Sequence, residues 1–362
     1  MSDKIRIGIL NSGGDCPGLN AVIHGVTGAA HQLGWDVIGF RDGFEGLLPP
    51  GNHMTLDPIK TAGIAKLGGT ILGTVNKGHF VSIIGKDNAQ RVPKEIIDQA
   101  KATLDRLGVR ALIVVGGDGS LNTALQIQKE GIPVVGVPKT IDNDLEATAM
   151  TFGFDSAITA VVDALDRLHT TADSHKRVMV LEVMGRHAGW IALHGGIAGG
   201  ADIILVPEIP FTHERVAEAV LDRERRGYHS TLVVVAEGAC PVGGNLVGTD
   251  RGEAGQIRLK GVSDAVAYEI EKRTCKETRS CILGHLQRGG SPTALDRILG
   301  IRFGVKAVSL IREGLFGHMV SYQSYHVGSV PIEKAVEKLR NVDPNGELVL
   351  SAKAIGISFG QP

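Results

Sequence analysis

Short apolar runs alternate with amphipathic segments along the 362 residues of the chain. Continuous apolar runs at residues 111–115 and 133–137 predict buried strands, and between such runs apolar residues recur at helical spacing. One such set is Ile158, Val161, Val162, Leu165 and Leu168. This alternation predicts an α/β fold with mostly parallel sheets.

The same pattern predicts the other main elements of the chain. Further strands are predicted at residues 5–10, 35–40, 177–183, 231–236 and 279–283. Helices are predicted at residues 20–33, 94–107 and 121–129. The helix that contains Ile158 is expected to begin after an N-cap at Asp155 or Ser156, since short polar side chains accept hydrogen bonds from the first turn.

Composition and charge narrow the classes of protein. A chain of this length suggests about two domains, and 43% hydrophobic with 21% charged residues is typical of a soluble globular protein. The net charge of -1 gives no bulk attraction to nucleic acid or anionic membranes, and neither a signal peptide nor a bilayer-spanning run is expected. The scattered cysteines, without a Cys-x-x-Cys pair, indicate free thiols in a reducing cytoplasm: Cys16, Cys240, Cys275 and Cys281.

The segment 116–120, Gly-Gly-Asp-Gly-Ser, lies where a predicted strand passes into a helix. Backbone N–H groups at such a helix start form an anion site, and glycines let phosphate oxygens approach the backbone. Asp118 would then hold Mg²⁺, which prefers a carboxylate together with phosphate oxygens. A plain turn between strand and helix is the alternative. The glycines of residues 13–14, after the first strand, occupy the same kind of position.

Carboxylates cluster beside Lys139 in the segment 138–144. If the backbone is extended there, Asp142 and Asp144 point the same way, so that one accepts a proton from a hydroxyl while the other binds metal or orients the first. Thr140 can donate a hydrogen bond to phosphate. A turn with solvated carboxylates is the alternative interpretation.

Charged residues also follow other predicted strands: Arg186, Glu237, His285 and Arg288. Arginine binds phosphate in a bidentate manner, whereas a surface charge or ion pair is the alternative for each residue alone. The chain has neither G-x-x-x-x-G-K-[ST] nor G-x-G-x-x-G after its first strand, which disfavours a P-loop enzyme and a dinucleotide dehydrogenase.

These motifs together resemble the 6-phosphofructokinase family, in family order from the first strand to about Gly317. The segments that carry the resemblance are 13–15, 116–120, 140–144, 184–186 and 284–290. The resemblance implies Mg²⁺-dependent transfer of a phosphoryl group from ATP to the 1-hydroxyl of fructose 6-phosphate. It also implies two Rossmann-like domains with mostly parallel sheets and helices on both faces, with the active site between them. The phosphoryl-donor domain would be residues 1–152 plus 287–335, and the sugar-phosphate domain residues 153–286 plus 336–362.

The resemblance assigns roles residue by residue. Asp142 matches the catalytic base, with Thr140 and Arg186 beside it, and Asp118 matches the magnesium ligand. Positions around the sugar phosphate are Thr140, Asp142, Asp144, Met184, Gly185, Arg186, Glu237, His285 and Arg288. Arg177 and Arg279 match arginines that reach the 6-phosphate from a neighbouring subunit, so a homo-oligomer, dimer or tetramer, is implied. Donor-side positions are Gly14, Asn76, Lys77, Gly117, Asp118, Gly119, Ser120 and Lys139.

Two positions, one in the segment 116–120 and one in the segment 138–144, indicate different phosphoryl donors. Gly119 is typical of members that use ATP, because it leaves room for a nucleotide. Lys139 is typical of pyrophosphate-dependent members, although ATP-using members with this lysine exist. The leading interpretation is therefore an ATP-dependent enzyme, with a pyrophosphate-dependent or ADP-using relative as the alternative. A non-catalytic sensor of sugar phosphate is disfavoured because a pure binder does not need both Asp118 and Asp142.

Overall fold

The computed structural model describes residues 4–80, 91–244, 248–251, 257–259 and 261–362. The strands in this part of the chain are β1 (Arg6–Asn11), β2 (Asp36–Phe40), β3 (His53–Leu56), β4 (Val109–Gly116), β5 (Val134–Pro138), β6 (Val178–Val183), β7 (Ile203–Leu205), β8 (Thr231–Ala236), β9 (Gly248–Arg251), β10 (Ile257–Leu259), β11 (Thr278–Ile282), β12 (His318–Gln323) and β13 (His326–Pro331). The helices are α1 (Leu19–Gln32), α2 (Lys94–Arg106), α3 (Asp118–Lys129), α4 (Phe154–His175), α5 (Trp190–Ala198), α6 (His213–Arg225), α7 (Val262–Thr274), α8 (Ala294–Arg312), α9 (Ile332–Val336) and α10 (Glu347–Ala354). Among the described helices, none is long and apolar enough to cross a membrane.

The chain divides into two compact units. Unit 1 is drawn from Met1–Ile141, Leu145–Ser156 and Arg288–Leu339, and unit 2 from Asp142–Asp144, Ala157–Gln287 and Arg340–Pro362. The boundaries differ in detail from the sequence-based division, most notably at Asp142–Asp144, which groups with unit 2.

Unit 1 is built on a seven-stranded sheet of order β13-β12-β5-β4-β1-β2-β3. The five inner strands run parallel, and the edge strands β3 and β13 pair antiparallel with their neighbours. The predicted α/β class and its mostly parallel sheet are therefore confirmed. Because parallel strands end at the same edge, the residues that follow β1, β4 and β5 lie beside one another.

The strand β4 explains why helices cover this sheet on both faces. Leu112 and Val114 share an apolar cluster with residues of α2 and α3. The alternate residues Ile113 and Val115 point to the opposite face and are also fully buried. That face is covered by α1 and α8, which pack on each other, and α8 also packs on β5 and β12. The continuous apolar run in the sequence thus reflects burial on two sides.

Unit 2 contains a four-stranded, fully parallel sheet of order β11-β6-β8-β7. Apolar residues of β6, β7 and β8 form one core cluster with residues of α6 and α7. The short antiparallel pair β9–β10 forms a separate two-stranded sheet. At the open edge of the main sheet, Arg279 to Ile282 of β11 are exposed.

The start of α4 differs from the prediction. The helix begins at Phe154, so Asp155 and Ser156 lie in its first turn and neither is the N-cap. The carboxylate of Asp296 in α8 accepts hydrogen bonds from Ser156 N, at 2.8 Å, and from Ser156 Oγ, at 2.6 Å. A residue 140 positions away thus satisfies the helix start, in place of a local side chain.

Candidate active site

The loop after β1 is held against two other segments of unit 1. Ser12 N donates to Val115 O at 2.9 Å, which ties the loop to the end of β4. Gly13 N donates to Val75 O at 3.3 Å, and Thr74 Oγ1 donates to Gly13 O at 2.6 Å. Asn76 and Lys77, which follow directly, are exposed. The donor-side positions predicted after β1 and at residues 76–77 therefore belong to adjoining segments.

The turn from β4 into α3 has the close approach that its glycines suggest. A Cβ atom on Gly116 would lie 2.7 Å from Ser120 Oγ, so only glycine fits there. The helix α3 begins at Asp118, and Gly117 is its extended N-cap without a side-chain cap. The N–H groups of this first turn and the positive end of the helix form an anion site. Gly119 and Ser120 lie in the same turn.

Lys139 is buried where β5 ends, and it contacts both preceding loops. Its Nζ donates a hydrogen bond to the carbonyl oxygen of Gly14, and its backbone N donates to Gly116 O at 2.9 Å. Burial lowers the pKa of the lysine, while the charges of Asp118 and Asp15 act in the opposite direction. The lysine is therefore a structural part of the loop assembly, a role that its position in the sequence did not suggest.

Arg288 lies against the same loop of unit 1. Its Nη1 donates to Asp15 O at 3.0 Å, and a Cβ atom on Gly14 would lie 2.5 Å from that nitrogen. The sequence placed Arg288 around the sugar phosphate, and that role stays a prediction. In the structure the guanidinium supports the loop that carries Gly14.

The first turn of α3 fits a magnesium ion that is shared with a phosphate. Asp118 supplies one carboxylate at a site whose other groups are N–H donors suited to phosphate oxygens. Among the described residues, no group of three or more His, Cys, Asp or Glu side chains is arranged to hold a metal ion. Asp118 offers a single carboxylate, and Mg²⁺ usually binds one or two carboxylates together with substrate phosphate oxygens and water.

The predicted base lies in a loop of unit 2 whose backbone differs from the expectation. Asn143, between Asp142 and Asp144, has φ 51, which is the left-handed region. The segment is therefore not extended, and the expectation that an extended backbone points both carboxylates the same way is wrong. Asn143 is buried, and Asp144 O accepts a hydrogen bond from Arg340 N at 2.8 Å.

The loops after β6 and β8 are joined in unit 2. Glu237 N donates to Val183 O at 2.9 Å, and Gly238 N donates to Gly185 O at 3.2 Å. Gly185 has φ 132, and Met184 N donates to Gln287 Oε1 at 3.4 Å. A Cβ atom on Gly238 would lie 2.7 Å from the carbonyl carbon of Arg186, so the two loops touch. The structure thus brings together Met184, Gly185, Arg186 and Glu237, and their predicted role around a sugar phosphate stays a prediction.

The two arginines expected to serve a neighbouring subunit converge on one carboxylate. Arg177 Nε lies 2.9 Å from Glu277 Oε2, and Arg279 Nη2 lies 2.7 Å from Glu277 Oε1. The hydrogen bond from Arg177 and the charges of both arginines lower the pKa of Glu277. The sequence analysis did not select Glu277. His285, in a short 3₁₀ helix (Gly284–Arg288), is exposed.

A second carboxylate, Glu208, also escaped the sequence analysis. Its Oε1 accepts hydrogen bonds from Gly189 N, at 3.0 Å, and from Val342 N, at 2.8 Å. The available signal was its position just after β7, the same strand-end location that selected Glu237. Burial raises the pKa of Glu208, whereas the two N–H donors lower it.

Comparison with known proteins identifies the class of protein. The phosphofructokinase family profile matches residues 6–311. An ATP-dependent 6-phosphofructokinase of Chloroflexus aurantiacus is 51% identical over 359 residues, covering 99% of each chain. The chain belongs to the phosphofructokinase family, and the predicted resemblance is confirmed.

This chain is similar both to relatives named for ATP and to a relative named for pyrophosphate. A pyrophosphate–fructose 6-phosphate 1-phosphotransferase of Streptomyces coelicolor is 47% identical, covering 98% of this chain and 100% of its own. Among solved structures, the phosphofructokinase of Pichia pastoris in the T-state superposes with a TM-score of 0.82 at 32% identity. That match covers 93% of this chain, which spans 36% of the yeast chain.

Proposed function

We propose that the protein is an ATP-dependent 6-phosphofructokinase, which transfers a phosphoryl group from ATP to the 1-hydroxyl of fructose 6-phosphate and forms fructose 1,6-bisphosphate in glycolysis. The observation that carries the proposal is the 51% identity, over 99% of both chains, to a relative named for this activity. The Gly116–Ser120 turn and the joined loops of unit 2 supply the groups that phosphoryl transfer requires.

The proposed division of chemistry assigns the donor to unit 1 and the sugar phosphate mainly to unit 2. The first turn of α3 and the loops around Gly14 and Lys139 hold the donor phosphates, with Asp118 as ligand of Mg²⁺. When bound, Mg²⁺ neutralises the negative charge that builds up on the phosphates. Asp142 accepts the proton of the sugar hydroxyl as general base, and Thr140 and Arg186 orient the reacting groups.

We assign binding of the sugar phosphate to residues that follow strands and that match sugar-phosphate positions of the family. They are Thr140, Asp142, Asp144, Met184, Gly185, Arg186, Glu237, His285 and Arg288. Arg177 and Arg279 are assigned to the site of a neighbouring subunit in a dimer or tetramer. Arg279 lies in the exposed edge strand β11, and Arg177 directly precedes the neighbouring strand β6. Their position supports this assignment, since an edge is open to another chain. A cytoplasmic location, inferred from the sequence, stays a prediction.

Pyrophosphate is the second candidate donor. Lys139 and the 47% identical relative named for pyrophosphate favour it. Gly119 and the relatives named for ATP at 51% and 48% identity favour ATP. In addition, the Lys139 ammonium is hydrogen-bonded to Gly14 O, so its charge already supports the loop after β1. This use of the lysine is compatible with a nucleotide donor.

One parallel assay tests both candidates. Purified protein is incubated with fructose 6-phosphate, Mg²⁺ and either ATP, ADP or pyrophosphate, and fructose 1,6-bisphosphate is quantified. We expect product with ATP and at least about tenfold lower kcat/KM with the other two donors, a difference of about 1.4 kcal/mol in transition-state stabilisation. Higher kcat/KM with pyrophosphate would replace the proposal with its alternative, and no product with any donor would refute both.

A further inference from the structure

The short segment of residues 340–342, called here the 340–342 strap, is hydrogen-bonded to three stretches of unit 2 that are far apart in sequence. At one end, Val342 N donates to Glu208 Oε1 at 2.8 Å. At the other end, Arg340 N donates to Asp144 O at 2.8 Å. Between them, Trp190 Nε1 donates to Arg340 O at 2.8 Å. The strap therefore connects the start of α5 with the Asp142–Asp144 loop.

Glu208 fastens this strap to the loop after β6. The same Oε1 that accepts from Val342 N also accepts from Gly189 N, the residue before α5, at 3.0 Å. Glu208 thus supplies an acceptor at the start of α5, where the N–H groups of a helix lack partners within the helix. Gly189 packs tightly against this region, since a Cβ atom on it would lie 2.5 Å from Val206 Cβ and 2.9 Å from Glu208 Oε2.

We propose that Glu208 is a positioning residue for phosphoryl transfer: through the 340–342 strap it fixes the Asp142–Asp144 loop relative to the loop that carries Met184, Gly185 and Arg186. The proposal rests on the proposed function, which makes Asp142 the base. In this role Glu208 acts through the backbone N–H groups of Gly189 and Val342. Arg340 reinforces the strap, because its guanidinium lies 4.7 Å from the ring centroid of Trp190.

Loss of the carboxylate has a defined consequence. Glu208→Ala leaves the N–H groups of Gly189 and Val342 without this acceptor, so the strap loses its link at Val342 and keeps its contacts with Trp190 of α5. Asp144 moves with the strap, and Asp142 with it. Because a displacement of about 1 Å can cost roughly 100-fold in rate, we expect kcat to fall by about 10- to 100-fold. The KM for the phosphoryl donor should change by less than about twofold, because the contacts that bind the donor equally in the ground state and the transition state are unaffected.

The kinetic experiment compares four single variants and one double variant with the wild type. Glu208→Gln should retain kcat within about threefold, because its amide oxygen can accept from both N–H groups. Trp190→Phe removes the donor to Arg340 O and should lower kcat, and in the double variant with Glu208→Ala the two losses should not add fully, since both act on one strap. Val220→Ala, on the buried face of α6, is the control matched for loss of stability. An unchanged kcat in both Glu208→Ala and Trp190→Phe would overturn the proposal.

Amide hydrogen exchange separates this proposal from the proposed function. In Glu208→Ala, the amides of Arg340 and Val342 should exchange at least about tenfold faster than in the wild type, as local opening becomes easier by roughly 1.4 kcal/mol. In Val220→Ala they should stay near the wild-type rate at the same shift in Tm. If Glu208→Ala does not fold, Trp190→Phe carries the same measurement. Equal amide exchange rates of Arg340 and Val342 in Glu208→Ala and Val220→Ala would refute the proposed role of the strap, whatever substrate the protein uses.

Discussion

The side chain of Lys139 donates a hydrogen bond to the backbone carbonyl of Gly14, a residue 125 positions earlier in the chain. The contact closes the loops that follow β1 and β5 into one assembly, with the charges of Asp118 and Asp15 nearby. A residue that sequence comparison treats as a marker of the donor is therefore also a fixed part of the loop scaffold. This double role leads to the first prediction.

Replacement of Lys139 by methionine should loosen the Gly14 loop while leaving the fold intact. The lysine is buried with a lowered pKa, and replacing a buried charge by an apolar side chain of similar length is often neutral for stability. We expect KM for ATP to rise by at least about tenfold, a loss of roughly 1.4 kcal/mol in donor binding, and no gain with pyrophosphate. Steady-state kinetics with both donors checks this. Lys129→Met, an exposed residue that pairs with Glu333, is the control. Increased kcat/KM with pyrophosphate would contradict a scaffold role.

Replacement of Asp142 by asparagine should remove the base and preserve the fold. General base catalysis typically contributes about 10²- to 10⁴-fold, so kcat should fall by that factor with little change in Tm. Donor binding, measured by calorimetry with ATP and Mg²⁺, should remain. The exposed Asp163 of α4 offers a matched Asp→Asn control that should keep full activity. A near-normal rate in Asp142→Asn would remove this residue from the role of base.

Two glycine-to-alanine variants should behave oppositely. At Gly116 the new Cβ atom would lie 2.7 Å from Ser120 Oγ, so the first turn of α3 must shift. We expect a loss of about 1–3 kcal/mol in unfolding free energy and weaker donor binding. At Gly28, inside α1, no heavy atom lies within 4 Å of the added Cβ. That variant should be stabilised by up to about 1 kcal/mol, with unchanged kinetics. Denaturant unfolding and ATP titration of both variants would show whether the Gly116 contact matters.

The buried carboxyl of Asp296 should make stability depend on pH. Burial is the main cause that raises its pKa from 3.8 to about 6, although hydrogen bonds from Ser156 lower it. Between these two values the folded state holds a proton that the unfolded state has lost, so this contribution to stability is present below pH 3.8 and disappears as the pH rises through about 6. Asp296→Asn removes the titration and keeps an acceptor for Ser156.

The difference in unfolding free energy between wild type and Asp296→Asn should therefore change by about 2 kcal/mol between pH 4.5 and pH 7, in favour of the variant at the higher pH. Denaturant titrations at several pH values measure it. Asp98→Asn, at an exposed position of α2, should show no such trend. A difference that is constant with pH would mean that Asp296 is ionised throughout.

The sequence predicted the elements and the strand-end loops because both depend on local patterns. The observed β4 and α3 contain the predicted segments, and the turn between them places Asp118 at the first position of α3. Long-range partners were not available from such patterns. Asp296 satisfies the start of α4 from 140 residues away, and Lys139 reaches Gly14. The left-handed Asn143 was missed for another reason: single non-glycine residues adopt this conformation only when their surroundings stabilise it.

The strap at residues 340–342 also sets an order in time. All three stretches of unit 1 precede Arg340 in the sequence, so the residues of this unit are synthesised before the strap. The hydrogen bonds from Arg340 N to Asp144 O and from Val342 N to Glu208 Oε1 can form only after residues 340–342 have been added to the chain. In order of synthesis, the segment that carries Asp118 therefore comes before the segment that helps to anchor the Asp142–Asp144 loop.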